Sequence, residues 1–115
     1  MSANRPAIEL PADAKMADYQ RYIKELEAQQ GWQDVDLVHN CFLMGEEVGE
    51  LFKAIRKQIK LFPEAQKPED PPEAVAEELV DVFNYLLAIA NRLEIDLEAA
   101  FRSKNAHNQT RTWQS

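Results

Sequence analysis

PPEAVAEELVDVFNYLLAIANRL, residues 71–93, decides the fold. Its apolar residues Val75, Leu79, Val82, Phe83, Leu86, Ala90 and Leu93 recur at steps of three and four, the period of a helix with one buried stripe. Asp70 and Glu73 read as a capping box with Pro71 at the first helical position, so the helix is expected to open there. The preceding stretch has the same period. Asp34 reads as its N-cap, and Leu37, Cys41, Met44, Val48, Leu51, Ile55 and Ile59 form its stripe up to about Leu61, with Pro63 as the stop. Between these two helices lies one evident loop, FPEAQKPEDPP, residues 62–72. Upstream, Met16, Tyr19, Tyr22, Ile23 and Leu26 mark a helix over residues 14–30 that Gly31 ends. Downstream, Asp96 caps a shorter helix holding Leu97, Ala100 and Phe101. No stretch alternates as a strand does, and the expected fold is all-α, a four-helix bundle. Residues 14–111 form one domain in this reading. Residues 1–13, with Pro6 and Pro11, are a flexible arm, and the polar tail over residues 112–115 contains Trp113.

Composition narrows the function. The chain has 115 residues, 45% hydrophobic and 29% charged, with a net charge of −7. That balance disfavours a nucleic-acid polymer as partner, because gripping a phosphate backbone takes a basic face. A small phosphorylated ligand carried in with cations is still open. No N-terminal apolar run resembles a signal peptide, and no apolar stretch approaches the roughly 20 residues of a membrane helix. The single cysteine, Cys41, has no partner for an internal disulfide, and its place in the stripe predicts a buried structural thiol. A cytoplasmic location is expected. A chain this short buries only about two-thirds of its unfolded surface. Long helices of this kind are therefore expected to finish their core by forming a homodimer or homotetramer.

Two segments carry the chemistry. Glu47-Val-Gly-Glu50-Leu and Glu78-Leu-Val-Asp81-Val share one pattern: acid, apolar, any residue, acid, apolar. Acids three apart share a helical face. At about 100° per residue, Glu47 and Glu78 fall at the edges of their stripes, with Glu50 and Asp81 further round on the same side. Glu46 and Glu77 fall away from that side, Glu46 near Lys53, Lys57 and Lys60. Two antiparallel helices would bring the four acids together at one margin of the core. The small residues Ala54, Ala74 and Ala88 would leave space there for a ligand. Oxygen-rich clusters of this kind suit hard divalent cations. A solvated acidic face is the plain alternative, and a Glu50–Lys53 pair would account for Glu50 alone.

GEEVGELFKAI (residues 45–55) and EELVDVFNYLLAIANRLEIDLEAAFRSK (residues 77–104) together resemble the MazG-like all-α nucleoside triphosphate pyrophosphohydrolases. The resemblance is strongest to the short single-domain members that include the dCTP pyrophosphatases. The family pattern is E-x-x-E on one helix and E-x-x-D on the next, here Glu47, Glu50, Glu78 and Asp81. It covers about residues 19–111. It implies cleavage of a nucleoside triphosphate between the α and β phosphates to monophosphate and pyrophosphate, with Mg²⁺ held by the four acids. Glu47 or Glu50 is then the carboxylate that takes a proton from water. The resemblance also matches Lys104, Asn108 and Arg111 with the family's later lysine, asparagine and arginine. It matches Trp32, in GWQDV, with an aromatic upstream of the second helix.

These residues have readings of their own. Lys104, Asn108 and Arg111 are spaced by four and three, and would form a phosphate clamp on one face if the fourth helix reached that far. A basic helix end complementing the macrodipole is the alternative. Tyr85 shares the acids' side and lines a nucleotide pocket or the core. Trp32 stacks on a base or staples a helix start. Two other functions compete with the enzyme. One is a non-enzymatic helical interaction module binding partner helices through its apolar stripes. The other is a di-iron or di-manganese carboxylate bundle, which needs two E-x-x-H motifs that this chain lacks.

Overall fold

A computed structural model describes residues 5–64 and 69–112. Residues 1–4 of the expected arm, 65–68 of the loop and 113–115 of the tail, Trp113 among them, lie outside the described residues. The described elements are all helices: α1 (Met16–Gln30), α2 (Leu37–Gln58), α3 (Ala74–Arg92) and α4 (Leu97–Gln109). The fold class is all-α. None of these helices is long and apolar enough to cross a membrane.

The helix ends show where local chemistry wins. Asp36, not Asp34, caps α2: its carboxylate accepts from the Val38 N–H at 2.7 Å. Asp96 caps α4 as expected, accepting from the Ala99 N–H at 3.0 Å. Asp70 does not cap α3. Its carboxylate meets Lys57 Nζ at 3.3 Å, and the helix opens later, at Ala74. Helices α1, α2 and α3 all close with the same paired turn, in which two successive N–H groups reach back to carbonyls of the last turn. After α1 these bonds are Gly31 N–H to Ala28 O and Trp32 N–H to Glu27 O. After α2 they are Lys60 to Lys57 and Leu61 to Arg56, and after α3 Glu94 to Asn91 and Ile95 to Ala90. The motif needs one left-handed residue. Gly31 takes it at φ 76°, but Lys60 (φ 59°) and Glu94 (φ 55°) take it without glycine's freedom. Helix α2 therefore ends before Pro63 is reached.

The chain divides into two compact units, Val35–Ile89 and Met1–Asp34 with Ala90–Ser115. In the second of these, α1 lies beside α4. Gln20 ties that unit together. Its side-chain amide donates to Asn91 Oδ1 at 3.2 Å and to the Ile95 carbonyl at 2.8 Å. Its Oε1 accepts from the Leu97 N–H at 3.1 Å, and Asn91 Nδ2 returns a bond to the Gln20 carbonyl at 2.8 Å. Arg92 pairs with Glu27 at 3.4 Å and donates to the Trp32 carbonyl at 3.0 Å.

The Val35–Ile89 unit holds α2 and most of α3, and its inward face differs from the apolar stripe. On α2 the buried residues are Asn40, Leu51 and Ala54, with Leu43, Met44, Glu47 and Val48 half-buried. Of the expected stripe only Leu51 is buried; Cys41, Ile55 and Ile59 are exposed. The inward face is thus turned toward the acids by about 60–80° at 100° per residue. Cys41 is accordingly an exposed thiol, because it falls on the side turned outward. On α3 the stripe residues Leu79 and Leu86 are exposed too, whereas Leu87 and Ala88, outside the stripe, are buried, as is the stripe residue Ala90.

Candidate active site

The rotation of α2 sets the site. Asn40, Glu47, Leu51 and Ala54 lie within about 60° of one another around the helix, so Glu47 sits near the middle of the inward face. Glu50 lies about 60° further round from Glu47 and is exposed. On α3 Glu78 is half-buried and Asp81 exposed. The two helices run antiparallel here. Glu47 meets Glu78, and further along α2 Lys57 meets Asp70, which precedes Glu78.

Glu47, Glu78 and Asp81 each offer a carboxylate oxygen, and these oxygens lie within 4.8 Å of one another. On an octahedral magnesium ion, with metal–oxygen distances of roughly 2.1 Å, neighbouring oxygens lie about 3 Å apart and opposite ones about 4 Å, so the three carboxylates would draw inward around an ion. One of the Glu78 oxygens, Oε2, is buried without a hydrogen-bond partner. A buried carboxylate oxygen with nothing to accept from is costly, and a cation is one group that satisfies it. The donor set and its orphaned oxygen therefore fit a hard divalent ion. Glu50 stands outside the three-carboxylate group, yet its charge acts on Glu47.

The field at the cluster is strongly negative. Burial raises the Glu47 pKa above its ordinary 4.5, and a hydrogen bond with Glu78 and the charges of Asp81, Glu78 and Glu50 push in the same direction. Like charges this close disfavour one another's ionised form, and a cation among them would relieve that repulsion. Tyr85 feels the same field. Burial first, then Glu47, Asp81 and Glu46, raise its pKa above 10, so its hydroxyl stays a donor at neutral pH. Glu46 is exposed, as helical phase requires, but its charge still reaches Tyr85. Among the described residues no ion pair joins Glu50 to Lys53, which removes the plain explanation of Glu50.

Next to this cluster, a cavity of about 400 Å³ is lined by Ala54, Lys57, Lys60, Glu69, Asp70 and Ala74, among others. Ala54 is one turn beyond Glu50 and Ala74 one turn before Glu78, so two of the three small residues do border open space. Ala88, buried as Ala54 is, does not line this cavity. Lys60 faces Glu69 at 3.9 Å, so both lysines of this cavity face acids of the loop.

Residues 40–113 match the family model described as the MazG nucleotide pyrophosphohydrolase domain. The chain belongs to that family. Among curated proteins it is similar to dCTP pyrophosphatase 1 of Rattus norvegicus, 33% identical over 99 residues that cover 84% of this chain and 58% of the relative. The same protein of Mus musculus is 34% identical over 98 residues, with the same coverage. The chain thus spans a little over half the length of the curated relatives it matches.

The matched region takes in both acid pairs and the Lys104 to Arg111 segment. Lys104 is exposed on α4, and Asn108 sits in the last turn of that helix. Arg111 lies beyond the helix end at Gln109, so the three do not share a helical face. Arg111 is nevertheless tied to the helix, since its guanidinium donates to Asn108 Oδ1 at 3.4 Å. Asn108 in turn donates to Asn105 Oδ1 at 3.2 Å. Trp32 is 51% exposed in the turn after α1, with its carbonyl held by Arg92. Neither Gln20 nor Asn40 stood out in the sequence. A glutamine on an exposed-looking face and an asparagine near a helix start carry no periodic signal.

Proposed function

We propose that this MazG domain is a Mg²⁺-dependent nucleoside triphosphate pyrophosphohydrolase. It cleaves a (d)NTP between the α and β phosphates and releases a (d)NMP and pyrophosphate. The observation that carries the reading is the convergence of Glu47, Glu78 and Asp81, with one buried Glu78 oxygen left without a partner. These three, with Glu50 at the rim, would hold Mg²⁺, or Mn²⁺ in its place. When bound, the ions neutralise the phosphates and stabilise charge on the departing pyrophosphate. Without them, a triphosphate and this cluster repel each other.

The chain's own residues do the rest. Glu47 or Glu50 takes the proton of the attacking water. Water adds across one P–O–P bridge, so one bond forms to phosphorus and the α–β bridging bond breaks. Tyr85, protonated, lines the nucleotide side, and Trp32 offers an exposed aromatic face for a base. Lys104, Asn108 and Arg111 bind phosphate oxygens as a mixed helix-end group. The similarity to dCTP pyrophosphatase 1 supports a deoxynucleotide as substrate, and the role proposed with it is housecleaning of the cytoplasmic nucleotide pool. The protein works as a homodimer or homotetramer, and residues 14–111 form the folded domain between arm and tail.

The competing reading, a helical interaction module, draws on the exposed apolar side of α2. The two are separated by assay. With a panel of nucleoside triphosphates and Mg²⁺, the enzyme releases pyrophosphate and not orthophosphate, and it stops when the metal is chelated. Orthophosphate as the product, or no product with any nucleotide, would overturn the proposal. An interaction module would show no metal-dependent gain in thermal stability, whereas metal plus a non-hydrolysable triphosphate stabilises an enzyme by mass action.

A further inference from the structure

Asn40 is the one buried polar residue among the described residues, at 3% exposure, and its side-chain Nδ2 has no hydrogen-bond partner. A buried amide donor left unpaired destabilises the fold. Native structures keep few such groups. Asn40 shares the inward face of α2 with Glu47. It lies seven residues before it, about 10 Å along the axis at 1.5 Å per residue. That spacing is comparable with the reach of a nucleotide from its α-phosphorus to the far edge of its base.

The antiparallel register extends the comparison to α3. Glu47 is level with Glu78, so Asn40 is level with the turn around Tyr85, seven residues beyond Glu78. Tyr85 is half-buried and keeps its hydroxyl proton. The two ends of the acid cluster therefore differ. Toward Ala54 and Ala74 the cavity carries Lys57 and Lys60, suited to anionic phosphate oxygens. Toward Asn40 there are a neutral amide and an aromatic ring, suited to a nucleoside. We infer that Asn40 reads the nucleobase of the substrate, its Nδ2 donating to an acceptor atom on the base edge. This inference rests on the proposed pyrophosphohydrolase reading and adds to it a residue that sets base preference. A site built to donate one hydrogen bond discriminates sharply, because a base without the acceptor leaves the donor unpaired.

The test compares wild type with Asn40→Asp, which keeps the shape and removes the donor, and Asn40→Leu, which fills the space with apolar atoms. For each protein, kcat/KM is measured by pyrophosphate release with dCTP, dTTP, dUTP, dATP and dGTP. Binding of the corresponding α,β-imido nucleotides and of inorganic tripolyphosphate is measured alongside by thermal shift. The expected result is a loss of about 10- to 100-fold for the preferred nucleotide and little change for the poorest. The imido-nucleotide binding should fall in parallel, and tripolyphosphate binding should stay the same. Equal losses for every nucleotide, with weaker tripolyphosphate binding, would make Asn40 a structural residue and overturn the inference. So would an unchanged ranking in a well-folded Asn40→Leu, which would mean that only a buried water meets the amide. Should both variants fail to fold, Asn40→Ser, smaller and still a donor, must shift the ranking, or the inference fails. Absence of turnover in wild type would overturn the proposed function itself. Turnover with no base preference would overturn only the role of Asn40.

Discussion

At Glu47, burial and three neighbouring acids act in the same direction, and that fixes the sign of a pH effect. Its pKa is raised in the folded protein, so the folded state holds a proton that the unfolded chain has already released. The contribution of Glu47 to metal-free stability is therefore fully present below the ordinary 4.5 and is lost as pH rises through the raised value. Glu47→Gln removes this penalty. The expected outcome is a higher Tm for the metal-free variant than for wild type at pH 7–8, with a shallower pH slope in scanning calorimetry. The same variant should lose the Mg²⁺-induced rise in Tm. Its turnover should fall by at least about 100-fold, the usual scale for a positioned acid–base group. Glu46→Gln and Glu77→Gln should stay within about threefold of wild type, since exposed charges contribute little. A Glu46 variant that is inactive beside an active Glu47 variant would show the acids to be wrongly assigned. The separation of Glu47 from Glu46 was legible in the sequence, because helical phase needs only residue spacing. The depth of Glu47 was not. The apolar stripe put it at an edge, whereas the inward face runs through it. Asn40 was illegible for the same reason, since its burial depends on how α2 is turned.

Among the elements, existence and order could be read from the pattern, and the ends could not. The 3.6-residue period marks all four helices within two or three residues. The caps depend on which of several acids finds a free N–H. Asp34 and Asp36 are equally good on paper, and only Asp36 reaches Val38. Asp36→Ala should therefore destabilise the protein by about 1 kcal/mol, and Asp34→Ala by almost nothing, as judged by urea unfolding. Asp70 could not be placed from sequence either, because its ion pair with Lys57 joins residues thirteen apart, across the loop. The helix C-termini give an opposite prediction. Glu94 and Lys60 occupy left-handed positions that glycine takes without steric cost. Glu94→Gly should stabilise the fold by about 0.5–1 kcal/mol, since the relief of side-chain strain exceeds the added freedom of the unfolded chain. Lys60→Gly gives a smaller gain, because the ion pair of Lys60 with Glu69 is lost with it. A loss of stability at Glu94 would mean that the side chain has a role the turn does not reveal.

For the molecule as a whole, the turning of α2 inward along its acid side has a cost on the opposite side. Val38, Phe42, Phe52 and Ile59 are each at least 60% exposed, with Phe42 at 70% and Phe52 at 64%. At about 100° per residue these four lie within roughly 100° of one another, on the side away from Glu47. An apolar strip of this kind on one helix marks an interaction surface. The expected occupant is a second copy of this chain, because helices that present the same strip pair through it about a two-fold axis, where each contact occurs twice. Burying one phenylalanine contributes about 1.5–3 kcal/mol. Replacing Phe42 and Phe52 with glutamate in both copies therefore removes four such contributions and adds like charges. Even with half of each contribution retained in the monomer, the dissociation constant should rise by more than about 100-fold. Light scattering at micromolar concentration should then report at least a dimer for wild type and a monomer for the double variant. Because Glu47 and Glu78 face the other side of α2, the monomer should keep its Mg²⁺-dependent rise in Tm. A wild-type protein that is monomeric at micromolar concentration would overturn self-association and return the strip to a partner of another kind. A double variant that stays dimeric would place the interface on a different face, with the exposed residues of α3 and α4, Leu79, Leu86 and Phe101, next to be tested.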